Sequence, residues 1–139
     1  MNRRWTSYCV MAAAVFLGPA GVMAGQAVGD LWQVTPQMMM GPMTMPLPPQ
    51  QVCSARQWTS PPAGSGPDPT CVNSGFAMTA PNTATWRITC QSPPSTGVGE
   101  ITRMGTDAWK GTIKYTSAQG EMTINLSATR SGECNNPTQ

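Results

Sequence analysis

Apolar and polar residues alternate with a period of two along most of the chain, in short runs broken by glycine, proline and asparagine. Between Glu121 and Thr129, Met122, Ile124, Leu126 and Ala128 alternate with Thr123, Asn125, Ser127 and Thr129. A period of two puts each set on its own face of a strand. Trp109, Ile113 and Tyr115 share one parity within 108–116, and Trp86, Ile88 and Cys90 share one within 83–90. Ala80-Pro81-Asn82, Gly105-Thr106-Asp107 and Ser117 to Gly120 separate these runs and carry turn residues. Upstream, Leu31 to Thr35 reads as a strand with Trp32 and Val34 on one face, limited by Pro36 or placed by it at a sheet edge. Gln51-Val52-Cys53 reads as a further short strand. The pattern predicts an all-β fold, a small antiparallel meander of about five to seven strands forming a barrel or sandwich. The abundance of Thr, Ser, Gly, Pro and Gln agrees, since these residues suit strands and turns better than long helices.

The first residues break the pattern. Arg3 and Arg4 precede the apolar run Cys9 to Leu17, Gly18-Pro19 ends it, and Val22-Met23-Ala24 supplies small and apolar residues before a cut. These are the three parts of a secretory signal peptide, so residues 1–24 are expected to be removed and a single β domain to occupy 25–139. The run is about half the ~20 residues needed to span a bilayer, so no transmembrane segment is expected after cleavage. Cys9 lies too early to carry a lipid at the cleavage point. The formal charge of +2 rests on Arg3 and Arg4 alone, because the remaining basic and acidic residues balance. A neutral domain has no electrostatic footprint for nucleic acid.

Beyond the leader, Cys53, Cys71, Cys90 and Cys134 remain. Cysteines in a small exported chain form structural disulfides, and none stands in a Cys-x-x-Cys pair suited to zinc or redox exchange. Three pairings are possible. The favoured one joins Cys71 to Cys90 across the first hairpin and Cys53 to Cys134 at the two ends of the domain. Cys71 has the opposite parity to Phe76 and Met78, so pairing it with Cys90 while burying the aromatics requires a bulge. Gly75 is its natural place.

Two segments are biased. Residues 60–70 (Ser-Pro-Pro-Ala-Gly-Ser-Gly-Pro-Asp-Pro-Thr) read as a surface loop. Residues 38–49 are rich in methionine and proline, with Met38, Met39, Met40, Met43 and Met45 close together. Thioethers are flexible and polarizable, so this segment is a candidate surface for a protein or an apolar ligand; Trp58, beside the Pro-rich loop, either joins that surface or covers the core. They are also soft donors that select Cu(I), and Met40, Met43 and Met45 are the candidate ligands in that alternative.

The chain has no histidine. That removes the usual general base and the commonest metal ligand. Carboxylates are scattered singly, and no Gly-x-Ser-x-Gly, Ser-x-x-Lys or phosphate-binding glycine loop occurs. The expectation is a binding or structural module, not an enzyme, with no cofactor.

Taken in order, several landmarks resemble a bacterial family of exported proteins known as domain of unknown function 3617. They are Gly29-Asp30-Leu31-Trp32-Gln33-Val34, the Met- and Pro-rich stretch Met38 to Pro49, Gln51-Val52-Cys53, Trp86-Arg87-Ile88-Thr89-Cys90 and Gly97-Val98-Gly99-Glu100-Ile101. Trp109-Lys110-Gly111-Thr112-Ile113-Lys114, Gly120-Glu121-Met122-Thr123-Ile124 and Gly132-Glu133-Cys134 complete the set. The resemblance spans nearly all of the chain beyond the leader. It implies a protein of the Gram-negative periplasm, and it carries no activity or catalytic residue.

Overall fold

A computed structural model of the chain describes residues 26–62 and 70–137. The expected leader, residues 1–24, and residues 63–69 of the expected loop lie outside the described residues.

The alternating runs form β1 (Val28–Met40), β2 (Met43–Pro46), β3 (Gln50–Ser54), β4 (Cys71–Ala80), β5 (Thr83–Gln91), β6 (Pro94–Arg103), β7 (Ala108–Ser117) and β8 (Gly120–Asn135). All eight belong to one antiparallel sheet in the order β2-β1-β8-β7-β6-β5-β4, with β3 also paired to β1. β2 pairs with Gln37–Met40 and β3 with Asp30–Val34, so together they form one interrupted strand along the same side of β1. β4 is the opposite edge, and no ladder joins it to β2 or β3. The sheet is therefore a single curled layer that its hydrogen bonds do not close. Among the described residues there is no helix, and so none long and apolar enough to cross a membrane.

One face of every central strand is buried and the other faces solvent. On β7, Trp109, Gly111, Ile113 and Tyr115 are buried while Lys110 and Lys114 are exposed. Register fixes which inward residues meet: Met38, Ile124, Ile113, Gly99 and Trp86 are successive partners across five strands. With no second layer to pack against, Trp32, Trp86 and Trp109 reach 2 % exposure or less because the sheet wraps around them. Glycines make that wrap possible. A Cβ on Gly99 would lie 2.2 Å from Trp86 Cε2, one on Gly97 2.8 Å from Tyr115 Cδ1, and one on Gly111 2.8 Å from Ile101 Cγ2. Each glycine lets a bulky neighbour lie flat on the backbone, which bends the sheet and fills its interior.

The parity conflict on β4 is resolved at Gly75. Cys71 pairs with Cys90 and Ser74 with Arg87, but the next partners are Ala77 and Thr85. Gly75 and Phe76 thus stand opposite Trp86 alone. Gly75 takes φ 62°, a bulge conformation that favours glycine. After the bulge Phe76 turns inward, its ring 6.4 Å from that of Trp86.

Of the two roles open to Pro36, strand end or edge position, it takes the second, and β1 runs on through it. Its carbonyl accepts a bond from Leu47 N–H at 3.0 Å, so its hydrogen-bonding side faces the break between β2 and β3. The missing proline N–H falls where no partner strand runs, and pairing to β8 continues unbroken through Pro36 and Leu126. This is an edge proline inside a long strand.

The two ends of the curl differ. At one end Asp30 is buried, and its Oδ1 accepts from Arg130 Nε at 3.0 Å and from Arg56 Nε at 3.3 Å. Glu133 pairs with the same arginines on the solvent side. Asp30 is the buried partner while both arginines reach solvent, so its two bonds matter more than those of the exposed Glu133. The Cys53–Cys134 disulfide, with Cα atoms 5.9 Å apart, lies at this end. Trp58 also packs here, edge-on to Trp109 at 6.4 Å, with Arg103 4.3 Å above its ring. Arg103 in turn donates to the Arg56 carbonyl at 2.5 Å. Ser60 and Pro61 line a cleft together with Asn73 to Phe76 of β4, along the seam that hydrogen bonds leave open. The second disulfide, Cys71–Cys90, sits at the other end. By loop entropy the two crosslinks contribute about 4.5 and about 3 kcal/mol respectively.

The glycine contacts predict an order of sensitivity. Gly99→Ala should cost about 3 kcal/mol in urea unfolding with the disulfides intact, because Trp86 is 1 % exposed and has nowhere to move. Gly97→Ala should cost less, because Tyr115 borders open space. Equal, small losses at both positions would contradict curvature by glycine.

Candidate functional site

The other end of the curl is open. It is reached by the last residues of β1, the start of β8, the end of β7 and the turn between β5 and β6. Here the methionine segment takes its form. β1 ends at Met40, Gly41-Pro42 makes the turn, and β2 returns from Met43. Gly41 has φ 56° at the first central position, the II′ pattern of a two-residue hairpin. Met40 pairs with Met43, and Met38 with Met45. Directly opposed residues share a face, so Met38, Met40, Met43 and Met45 all stand on the concave side. Met39 points the other way, and its sulfur accepts from Asn125 Nδ2 at 3.0 Å.

The hairpin is continuous with a cavity of about 340 Å³. Its apolar wall consists of Met40, Met122, Tyr115, Pro93 and the Cys71–Cys90 disulfide. Ser92, Ser95, Ser117, Gln119 and Glu121 add polar groups. Met122 follows from register: Met39 pairs with Thr123, which sets Met122 beside Met40 on β8, and Met122 pairs with Tyr115 on β7. Met43, Met40, Met122 and Tyr115 therefore form one row across four adjacent strands. Met40, Met43 and Met45 are 40 %, 59 % and 40 % exposed, so the hairpin presents its sulfurs to solvent.

Tyr115 is the polar group of the wall. The residue is 4 % exposed, and its hydroxyl has no hydrogen-bond partner among the described residues. Burial pushes its pKa up from 10 to about 12, because the phenolate would lose its hydration. The group is a neutral phenol at any physiological pH.

The structure brings Met38, Met40, Met43 and Met45 together and adds Met122, Tyr115 and a disulfide. It leaves Met39 on the outer face and Trp58 in the sealed end. Trp109, on which Trp58 packs, lies six positions along β7 from Tyr115, about 20 Å at ~3.3 Å per residue. Met122 and Tyr115 were visible in the sequence only as inward members of alternating strands. Nothing local marks them as the ones that meet the methionine hairpin.

The raised pKa has a thermodynamic consequence. Tyr115 binds its proton more tightly folded than unfolded, so its contribution is complete below pH 10 and is lost as pH rises toward 12. Stability should fall by up to about 2.7 kcal/mol across that interval, and Tyr115→Phe should remove this part of the loss. Tyr8 and Tyr115 are the two tyrosines, so in a chain begun at Gly25 tyrosinate absorbance reports Tyr115 alone. An ionisation midpoint near 10 would contradict its burial.

Neither a curated protein nor a solved structure matches the chain. The family described as a protein of unknown function, DUF3617, matches residues 29–134, from the glycine before Asp30 to the cysteine that closes the sealed end. That span holds every strand core, both disulfides and the open cavity, and the chain belongs to the DUF3617 family.

Proposed function

We propose that the protein is an exported, non-enzymatic binding module of the periplasm that holds an apolar ligand at the open end of its sheet. The observation that carries this reading is the continuity of the methionine hairpin with the cavity walled by Met40, Met122, Tyr115 and Cys71–Cys90. A volume of about 340 Å³ lies within the usual range for small-molecule sites. Methionine side chains adapt to irregular apolar shapes, and those of the hairpin stand at the mouth. An apolar segment of a protein would meet the same face.

The leader pattern of residues 1–24 and the two disulfides support export to an oxidising compartment. The non-enzymatic reading is supported by the site's composition. It offers a neutral phenol, one carboxylate at Glu121, serines without a base, and thioethers.

A second reading has its own observation. Met43, Met40 and Met122 are adjacent on one face, with Met38 and Met45 in the next row, an array of soft donors suited to Cu(I). Among the described residues no three Asp, Glu, His or Cys side chains converge on a metal position, so thioethers would supply the ligands.

Leucine separates the two readings. Replacing Met38, Met40, Met43 and Met45 together by leucine preserves shape and apolarity. Binding of the neutral fluorophore N-phenylnaphthylamine should change by no more than about threefold, whereas Met40→Glu should abolish it. If the leucine variant instead loses Cu(I) in competition with a chelator, and neither protein binds the fluorophore, the copper reading replaces the first.

A further inference from the structure

The open end has a definite charge and a definite hydrogen-bonding character. No lysine or arginine lines the cavity, and Glu121 is the charged group of its lining. An anionic ligand would meet repulsion and no compensating cation. Tyr115 lines the cavity, and its Oη is buried just beneath the surface, unpartnered among the described residues and un-ionised. A neutral phenol that lacks a partner is a strong donor, and burial without a partner costs free energy that a ligand acceptor returns. The wall around it is mainly apolar, with Ser92, Ser95, Ser117 and Gln119 on its polar part.

We propose that the open end selects an uncharged apolar molecule bearing a hydrogen-bond acceptor, a carbonyl or ether oxygen, which displaces the side chains covering Tyr115 Oη and accepts from it while its apolar body lies against Met40, Met122 and the Cys71–Cys90 disulfide. The inference rests on the binding reading above and gives it a ligand class. Tyr115 selects by the argument that applies to any buried donor: a ligand without the acceptor leaves the donor unpaired. Glu121 sets the sign of the exclusion, against carboxylates and phosphates.

Three probes of nearly one shape test this. Acetonaphthone carries a carbonyl, ethylnaphthalene replaces it by a methylene, and naphthoate replaces it by a charge. Their affinities are read by displacement of N-phenylnaphthylamine. Acetonaphthone should bind about tenfold more tightly than ethylnaphthalene, with naphthoate the weakest. Tyr115→Phe should bring acetonaphthone down to the affinity of ethylnaphthalene and leave ethylnaphthalene unchanged. It removes only an unpartnered hydroxyl, so near-ultraviolet circular dichroism should show an unchanged fold. Glu121→Gln, at an exposed turn, should raise the affinity of naphthoate alone. Equal affinities for acetonaphthone and ethylnaphthalene in the native protein would overturn the role of Tyr115 while leaving the binding reading intact. Tightest binding of naphthoate would overturn the charge argument. Failure of all three probes and of the fluorophore would overturn the binding reading, and this inference with it.

Discussion

A sheet with one apolar face and no second layer has to cover that face with itself, and the architecture follows from that requirement. Burying a tryptophan removes up to about 250 Å² from water, worth some 5 kcal/mol gross, so Trp32, Trp86 and Trp109 strongly favour a curled sheet. Curling brings inward side chains into collision unless some positions have none. Gly97, Gly99 and Gly111 supply them, under Tyr115, Trp86 and Ile101. The bulge at Gly75 then swings Phe76 onto Trp86 at the edge strand.

The same curvature creates two unlike ends. One is sealed by Asp30 with its arginines and by Trp58 on Trp109. The other ends in a turn-rich rim, and its last inward row runs through methionines to Tyr115. Ion pairs and packed tryptophans concentrate at the sealed end and exposed methionines at the open one, with a disulfide anchoring each.

Much of the fold was legible because alternation survives wherever one face is buried. The phase of Met122 to Ala128 follows from parity, the pairing of Cys71 with Cys90 from the hairpin it spans, and the bulge at Gly75 from the conflict between that pairing and parity. Both disulfides formed as the favoured pairing had them. Three features stayed open for physical reasons. Pro36 reads equally as a strand end or an edge proline, and the choice depends on a break in a neighbouring strand that only the folded sheet reveals. The methionine segment lacks alternation, since Met39 faces outward yet is as apolar as Met38 and Met40, so a turn at Gly41-Pro42 is legible but its pairing into the sheet is not. Trp58 reads either as part of a surface or as a cover for the core, and its burial depends on contacts with Trp109 and Arg103 from distant strands. Within the site, register alone joins Met122 and Tyr115 to the hairpin, and register belongs to the sheet as a whole.

Native mass spectrometry of the protein released gently from the periplasm tests the central claim most directly. The account predicts the mass of a chain begun at Gly25, less the four hydrogens lost in two disulfides, together with an uncharged organic molecule that the Met40→Glu variant does not carry. A chain that carries copper in place of an organic molecule, or that carries nothing, would contradict it.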